Sequence, residues 1–294
     1  MTSSGRWPLG VHTSVAGGLW KAVDGAVDLG CDAMQIFARN PRSWADAPLS
    51  SQTVSLFRKA REEAGLWPVA VHTTYLINLC APDPDIYEKS IILFQSELRS
   101  SEALGADYLV THLGSPKDMG IPFAMERVKA SLKAVADAGL GRATKILLEN
   151  TSGAGTGFGA DLADIAELLD AASSFGLEAG LCADTCHGFA AGYAVSGSKG
   201  TDGFVASIEA SVGLERLKLI HLNDSKGKLG SKLDRHENIG RGEIGIDGIT
   251  SFLLDERIAG MPLILETPKK TPDDDPENLR IVRSIISGAK RKKG

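Results

Sequence analysis

Short apolar runs alternate with longer segments whose apolar positions recur at helical spacing, and the alternation repeats eight times along the chain. The short runs predict strands at Leu9 to His12, Ala33 to Ala38, Pro68 to His72, Tyr108 to His112, Lys145 to Glu149, Gly180 to Asp184, Leu217 to His221 and Pro262 to Glu266. Helices are predicted between them, among others at Gly17 to Leu29, Thr53 to Ala64, Ile86 to Leu104, Phe123 to Ala138 and Leu162 to Ser173. Eight β/α rounds in 294 residues, with no Pro/Ser-rich linker, point to the α/β class and to a (β/α)8 TIM barrel. A single domain is expected over residues 1–294, structured from about 8 to 288 and followed by a basic tail at 289–294. A doubly wound open sheet is the competing arrangement.

The strand ends decide what such a barrel is for, because active sites of this fold sit at the C-terminal mouth. In order, the predicted strands end at His12, Ala38, His72, His112, Glu149, Asp184, His221 and Glu266, so all but one end in a side chain able to bind a metal. All 6 histidines stand at a strand end or shortly after one, counting His187 and His236, where chance would scatter some over helix surfaces. The densest stretch is LKLIHLNDSKGKLGSKLDRHENIG at 217–240. It delivers His221 at the end of an apolar run and then offers Asp234-Arg235-His236, where alternate residues of an extended segment face one side.

Mixed imidazole and carboxylate ligands suit zinc, manganese or iron(II), and their number suits a cluster of two or three ions. Cys31, Cys80, Cys182 and Cys186 are irregularly spaced and read as reduced thiols, with Cys182 expected to point into the packed wall. Such a cluster suits attack on a phosphodiester. The spacing by itself leaves sugar, amide and peptide substrates open.

Composition narrows the class. With 43% hydrophobic and 23% charged residues and a mean hydropathy near zero, the chain reads as a soluble globular protein. No apolar run reaches membrane length, and MTSSGRWPLG lacks the apolar core of a signal peptide, so a cytoplasmic location is expected. The net charge of −5 argues on its face against a nucleic-acid partner, yet three bound divalent cations would bring it to about +1, concentrated at the site. The tail AKRKKG is expected to be solvated.

The blocks VHTSVAGG (11–18), QIFARNPRSW (35–44), HTTYLINL (72–79), ENTS (149–152), DTCHGFAAG (184–192), IHLND (220–224), DRHENIG (234–240) and LILET (263–267) together resemble the endonuclease IV family of abasic-site repair nucleases, along essentially the whole chain. The resemblance implies three Zn2+ ions, with Mn2+ or Fe2+ possible at some positions. His72, His112 and Glu149 would hold the first. Glu149 would bridge to a second, completed by Asp184, His221 and Glu266, and His187, Asp234 and His236 would hold the third. It further implies hydrolysis of the phosphodiester 5′ to an abasic site, leaving a 3′-hydroxyl and a 5′-deoxyribose phosphate, with Glu149, Glu266, His112 and Asp184 as the catalytic ligands. Trimming of blocked 3′ ends is expected too. The partner implied is double-stranded DNA carrying such lesions, met by a monomer.

Arg42 and Tyr75 look like the family's residues that enter the base stack, a task suited to flat faces with polar tips. Lys226 and Arg235, with Lys228 and Lys232, are candidates for phosphate contacts. Asn78 and Asn223 are expected to orient ligands, His12 to hydrogen-bond behind them or to substrate, and Trp44 to pack under the first loop. A sugar isomerase or epimerase of the xylose-isomerase-like superfamily is the alternative, and the extra set His187, Asp234 and His236 discriminates against it. A DNA-binding or scaffold protein that keeps the cluster structurally is a third.

Overall fold

The computed structural model describes residues 7–195 and 198–291, without the side chains of 198–202 and 289–291. The strands are β1 (Leu9–His12), β2 (Ala33–Phe37), β3 (Val69–His72), β4 (Tyr108–Thr111), β5 (Lys145–Glu149), β6 (Ala179–Asp184), β7 (Leu217–His221), β8 (Asp224–Ser225), β9 (His236–Glu237) and β10 (Leu263–Leu265). The helices are α1 (Leu19–Asp28), α2 (Ser51–Ala64), α3 (Pro84–Leu104), α4 (Gly120–Asp137), α5 (Leu162–Ser174), α6 (Thr185–Ala191), α7 (Ser198–Ser211), α8 (Gly245–Leu253) and α9 (Asp274–Arg291). Parallel strands close a barrel in the order β1-β10-β7-β6-β5-β4-β3-β2, and β8 with β9 forms a separate antiparallel pair. The open doubly wound sheet is thereby excluded. Among the described residues no helix is long and apolar enough to cross a membrane.

Local chemistry sets the element boundaries. Ser50 caps α2 by accepting from Thr53 N, and Asp83 caps α3, whose first position is a proline. Both helices end on a glycine in the left-handed conformation, Gly65 and Gly105. The basic tail read at 289–294 continues α9 as far as Arg291, and its remaining residues lie outside the described ones.

The barrel is apolar on both faces, as parallel strands must be when helices cover the outside. Ile146 and Leu148 pack outward into the large core under the helices, while Leu147 joins an interior layer with Ala33, Ala70, Val110, Cys182, Leu219 and Ile264. Side chains two residues apart along a strand share a face. Two residues on from each member of this apolar floor come Gln35, His72, His112, Glu149, Asp184, His221 and Glu266. The strand period therefore aims these side chains at the mouth. His112 and Glu266 fall one residue past the strands expected to contain them, because β4 ends at Thr111 and β10 at Leu265.

Candidate metal centre

Glu149 is wholly buried at the end of β5, and its two oxygens face different partners. Oε2 lies 3.1 Å from His72 Nε2 and 3.6 Å from His112 Nε2, whereas Oε1 lies 3.1 Å from His221 Nδ1 and 3.3 Å from His187 Nδ1. Among the described residues, His72, His112 and Glu149 form one donor set and Glu149, Asp184, His221 and Glu266 a second that shares Glu149 with it, while His187, Asp234 and His236 form a third; Asp184, Cys186 and His236 also lie together between the second and the third. Within each set the donor atoms lie within 4.8 Å of one another. The third set is built from loop elements. Asp184 caps α6 by accepting from His187 N at 2.6 Å, which turns His187 over the mouth, and β9 carries His236 back against it. There His187 Nε2 lies 3.2 Å from Asp234 Oδ1.

Main-chain carbonyls and one side-chain amide fix which nitrogen each imidazole offers. Nδ1–H donates to Thr73 O in His72 (2.8 Å), to Asn150 O in His187 (3.0 Å) and to Glu266 O in His236 (3.0 Å), so Nε2 is the free donor in each. His221 is reversed. Its Nε2–H donates to Gln35 Oε1 at 2.9 Å, so the Nδ1 lone pair looks at Glu149 Oε1 and Glu266 Oε2, both at 3.1 Å.

A lone pair facing two carboxylates needs a positive charge between them. Burial alone would lower the pKa of His221, and Cys182 with the facing carboxylates Glu266 and Glu149 reverses this to well above the ordinary value. Burial would likewise raise Glu149, but the imidazoles of His112 and His221 hold its carboxyl well below the usual range. Desolvation lowers His112, against the opposing pull of Glu149. His236 Nε2 is buried without a hydrogen-bond partner among the described residues, and Asp184 Oδ2 and Asp234 Oδ1 stand 3.7 and 3.8 Å from it. Donors around one tetrahedral zinc lie about 3.3 Å apart, so a cation fits this spacing where a direct hydrogen bond does not. Cys186 Sγ donates to Arg235 O at 3.6 Å and burial pushes its thiol up to about 12, which keeps it protonated beside the ligands.

The family described as Xylose isomerase-like TIM barrel matches residues 23–285. A probable endonuclease 4 of Methanoculleus marisnigri is 42% identical over 282 residues, 94% of this chain and 98% of that protein. The chain belongs to the endonuclease IV family. The crystal structure of endonuclease IV from Thermus thermophilus matches it with a TM-score of 0.85 at 39% identity, over 96% of this chain and 99% of that one. A D-tagatose 3-epimerase-like protein, at 16% identity and a TM-score of 0.72 over 98% of this chain and 100% of that one, is alike in fold.

In this endonuclease IV family member the three donor sets open into a cavity of about 730 Å3, rimmed by Tyr75, Lys226, Arg235 and Lys269. Tyr75 is 68% exposed and rests edge-on against Phe37, with ring centres 5.4 Å apart. Arg42 stands apart on the exposed loop after β2, where Asn40 Oδ1 accepts from its main-chain N. Lys226 faces Glu237 at 3.6 Å. Trp44 is a partly exposed loop residue rather than one packed beneath the loop.

Asn223 behaves as expected: its Nδ2 donates to Asp184 Oδ2 at 2.6 Å while its Oδ1 accepts from Glu266 N. His12 stands behind the ligands, 3.0 Å from Gln35 Nε2 and 3.5 Å from Glu266 Oε1. Asn78, by contrast, bonds the main chain of Ser115 from both of its amide atoms and so ties the β3 loop to the β4 loop. Gln35 was missed in the sequence, although a polar residue at an inward position of AMQIF carries a signal. Its Nε2 donates to Glu266 Oε1 at 2.6 Å while its Oε1 holds His221. Lys269 was missed as well, and it reaches His12 O while paired with Asp275.

Proposed function

We propose that this AP endonuclease of the endonuclease IV family hydrolyses the phosphodiester 5′ to an abasic site in duplex DNA, with three divalent cations, zinc foremost, held by the nine side chains of the donor sets. One water is consumed: its oxygen joins phosphorus, the bond to the preceding 3′-oxygen breaks, and a 3′-hydroxyl and a 5′-deoxyribose phosphate are left. Blocked 3′ ends present the same bond, so end trimming belongs to the same reading.

The observation that carries it is the third donor set, His187, Asp234 and His236, standing beside the two that Glu149 joins. A sugar isomerase of this fold needs one or two ions, and a third set is surplus to it. Charge supports the same choice. Glu149, Asp184, Asp234 and Glu266 converge on the mouth and would repel a phosphodiester until bound cations reverse the sign. Those cations supply Lewis acidity and make water a nucleophile near neutral pH. The protein's part is orientation. Thr73, Asn150 and Glu266 carbonyls, Gln35 and Asn223 aim the ligands before substrate arrives. Tyr75 and Arg42 fill the stack left by an extruded abasic sugar, which is cheap to extrude because its base pairing is already lost. Lys226, Arg235 and Lys269 line the cavity and would meet phosphates in this reading. The enzyme acts as a monomer in the cytoplasm.

Incision of a duplex carrying one abasic analogue, by protein as purified and after exhaustive chelation, tests this. Incision 5′ to the lesion leaving a 3′-hydroxyl, lost on stripping and restored by zinc, is expected. Metal-replete protein that leaves the duplex intact would overturn it.

A further inference from the structure

Outside the metal centre, three buried polar atoms without a partner among the described residues meet in one seam: Arg39 Nε, Glu97 Oε2 and Thr74 Oγ1. Buried polar groups are nearly always paired, so three together call for a reason. The seam joins two loops. Arg39 lies on the β2 loop three residues before Arg42, Thr74 lies on the β3 loop immediately before Tyr75, and Glu97 comes from α3 beneath both.

Each loop is already tethered to α3. The Arg39 guanidinium is 10% exposed and donates to Ser96 Oγ at 2.9 Å and Ser100 Oγ at 3.1 Å, and to Ala45 O in its own loop at 3.2 Å. Glu97 Oε1 accepts from Thr74 N at 3.2 Å. The cross-link between the tethers is left open: Arg39 Nε stops 3.7 Å from Glu97 Oε1, and the Thr74 hydroxyl has no acceptor among the described residues. A movement of less than about 1 Å would bring Nε–H to hydrogen-bond distance.

We propose that Arg39, Glu97 and Thr74 are positioning residues that join the two recognition loops, and that their network closes only when both loops engage damaged DNA, so that Arg42 and Tyr75 enter the stack as one unit. This rests on the reading above of Arg42 and Tyr75 as the residues that fill the stack. Closure gives Arg39 Nε–H to Glu97 Oε1 and the Thr74 hydroxyl to Oε2. Those bonds exist in the complex and not in the free protein, so they favour binding without adding to the stability of the free fold.

Thr74→Val separates the two states, because it keeps the shape and removes only a hydroxyl that is unbonded in the free protein. Its melting temperature is expected to equal or exceed that of the wild type and its metal content to match, while KM for an abasic duplex rises about tenfold and kcat stays within about threefold. Glu97→Ala should raise KM further, and Glu97→Gln should recover most of the loss by keeping an acceptor for Thr74 N. Glu97→Ala combined with Tyr75→Ala should be no worse than Tyr75→Ala alone. Fluorescence of a base analogue opposite the lesion should report slower extrusion in Thr74→Val. Unchanged KM in Thr74→Val, or strict additivity with Tyr75→Ala, would overturn the joint while leaving the nuclease standing. A wild-type protein that fails to incise would overturn both.

Discussion

At the scale of single residues, the site is a problem of opposed charges and the orientations that settle them. Glu149 serves two donor sets with one carboxylate, and both of its oxygens are occupied by imidazoles. Glu149→Gln keeps the shape and loses the charge that joins the sets, and His112→Ala removes one member of the first donor set. Either should leave the circular dichroism spectrum unchanged and lower abasic incision by about a thousandfold or more, as loss of a metal-activated nucleophile does. Arg42→Ala should behave oppositely, lowering discrimination between abasic and intact duplex about tenfold while metal content per chain stays constant, if its task is the stacking proposed above. Glu97 supplies a pH effect. Burial pushes its carboxyl up to about 7 against the opposing pull of Arg39, with His72 adding to that pull and Asp46 facing Arg39 from the other side. A carboxyl raised in the folded state contributes stability that is present below its unfolded value and lost as pH climbs through 7, a swing of roughly 3 kcal/mol. Between pH 5 and 8 the wild-type melting temperature should therefore fall relative to that of Glu97→Gln. A parallel course of the two melting curves would refute the assignment.

At the scale of elements, the hairpin of β8 and β9 and the loop that follows it turn on one side chain. Asp224 is fully buried and accepts main-chain N–H from Gly240, Gly242, Ile244 and Gly245 at 3.0 to 3.3 Å, besides Ser225. Gly242 has to be a glycine, since a Cβ there would lie 2.5 Å from Asp224 Oδ1. Asp224→Ala strands these donors and should cost about 3 kcal/mol or more, seen as a lower denaturant midpoint, with His236 losing its anchor. None of this was legible in the sequence, because strands of two residues have no period to detect and IHLND reads as a strand running into a polar loop. What was legible followed from register. An apolar residue two positions before each of His72, His112, Glu149, Asp184, His221 and Glu266 marks a side chain aimed along the barrel interior, and that signal survives in a single sequence. Gln35 obeys the same rule, but an amide is not a metal-binding type, so strand-end chemistry alone does not single out the residue that orients His221. Asn78 failed for the converse reason: its place in HTTYLINL suggested a ligand neighbour, while its partner Ser115 is 37 residues away and invisible to local pattern.

At the scale of the whole molecule, the closed barrel concentrates four carboxylates at one end of an acidic chain. Cations that bind only the folded protein stabilise it in proportion to their occupancy, so exhaustive chelation should lower the melting temperature by roughly 5 to 10 °C, with full recovery on adding zinc. A melting temperature indifferent to chelator would show that protons alone suffice to hold the cluster together. The division of labour between barrel and loops has a further consequence. Two donor sets grow out of the strands and are tied to the register of the whole sheet, whereas the third is assembled from a helix cap and a two-residue strand outside it. A lineage can thus rewrite or discard that third set by altering loops alone, leaving the heritable scaffold intact, so catalysts of quite different purpose can descend from one barrel.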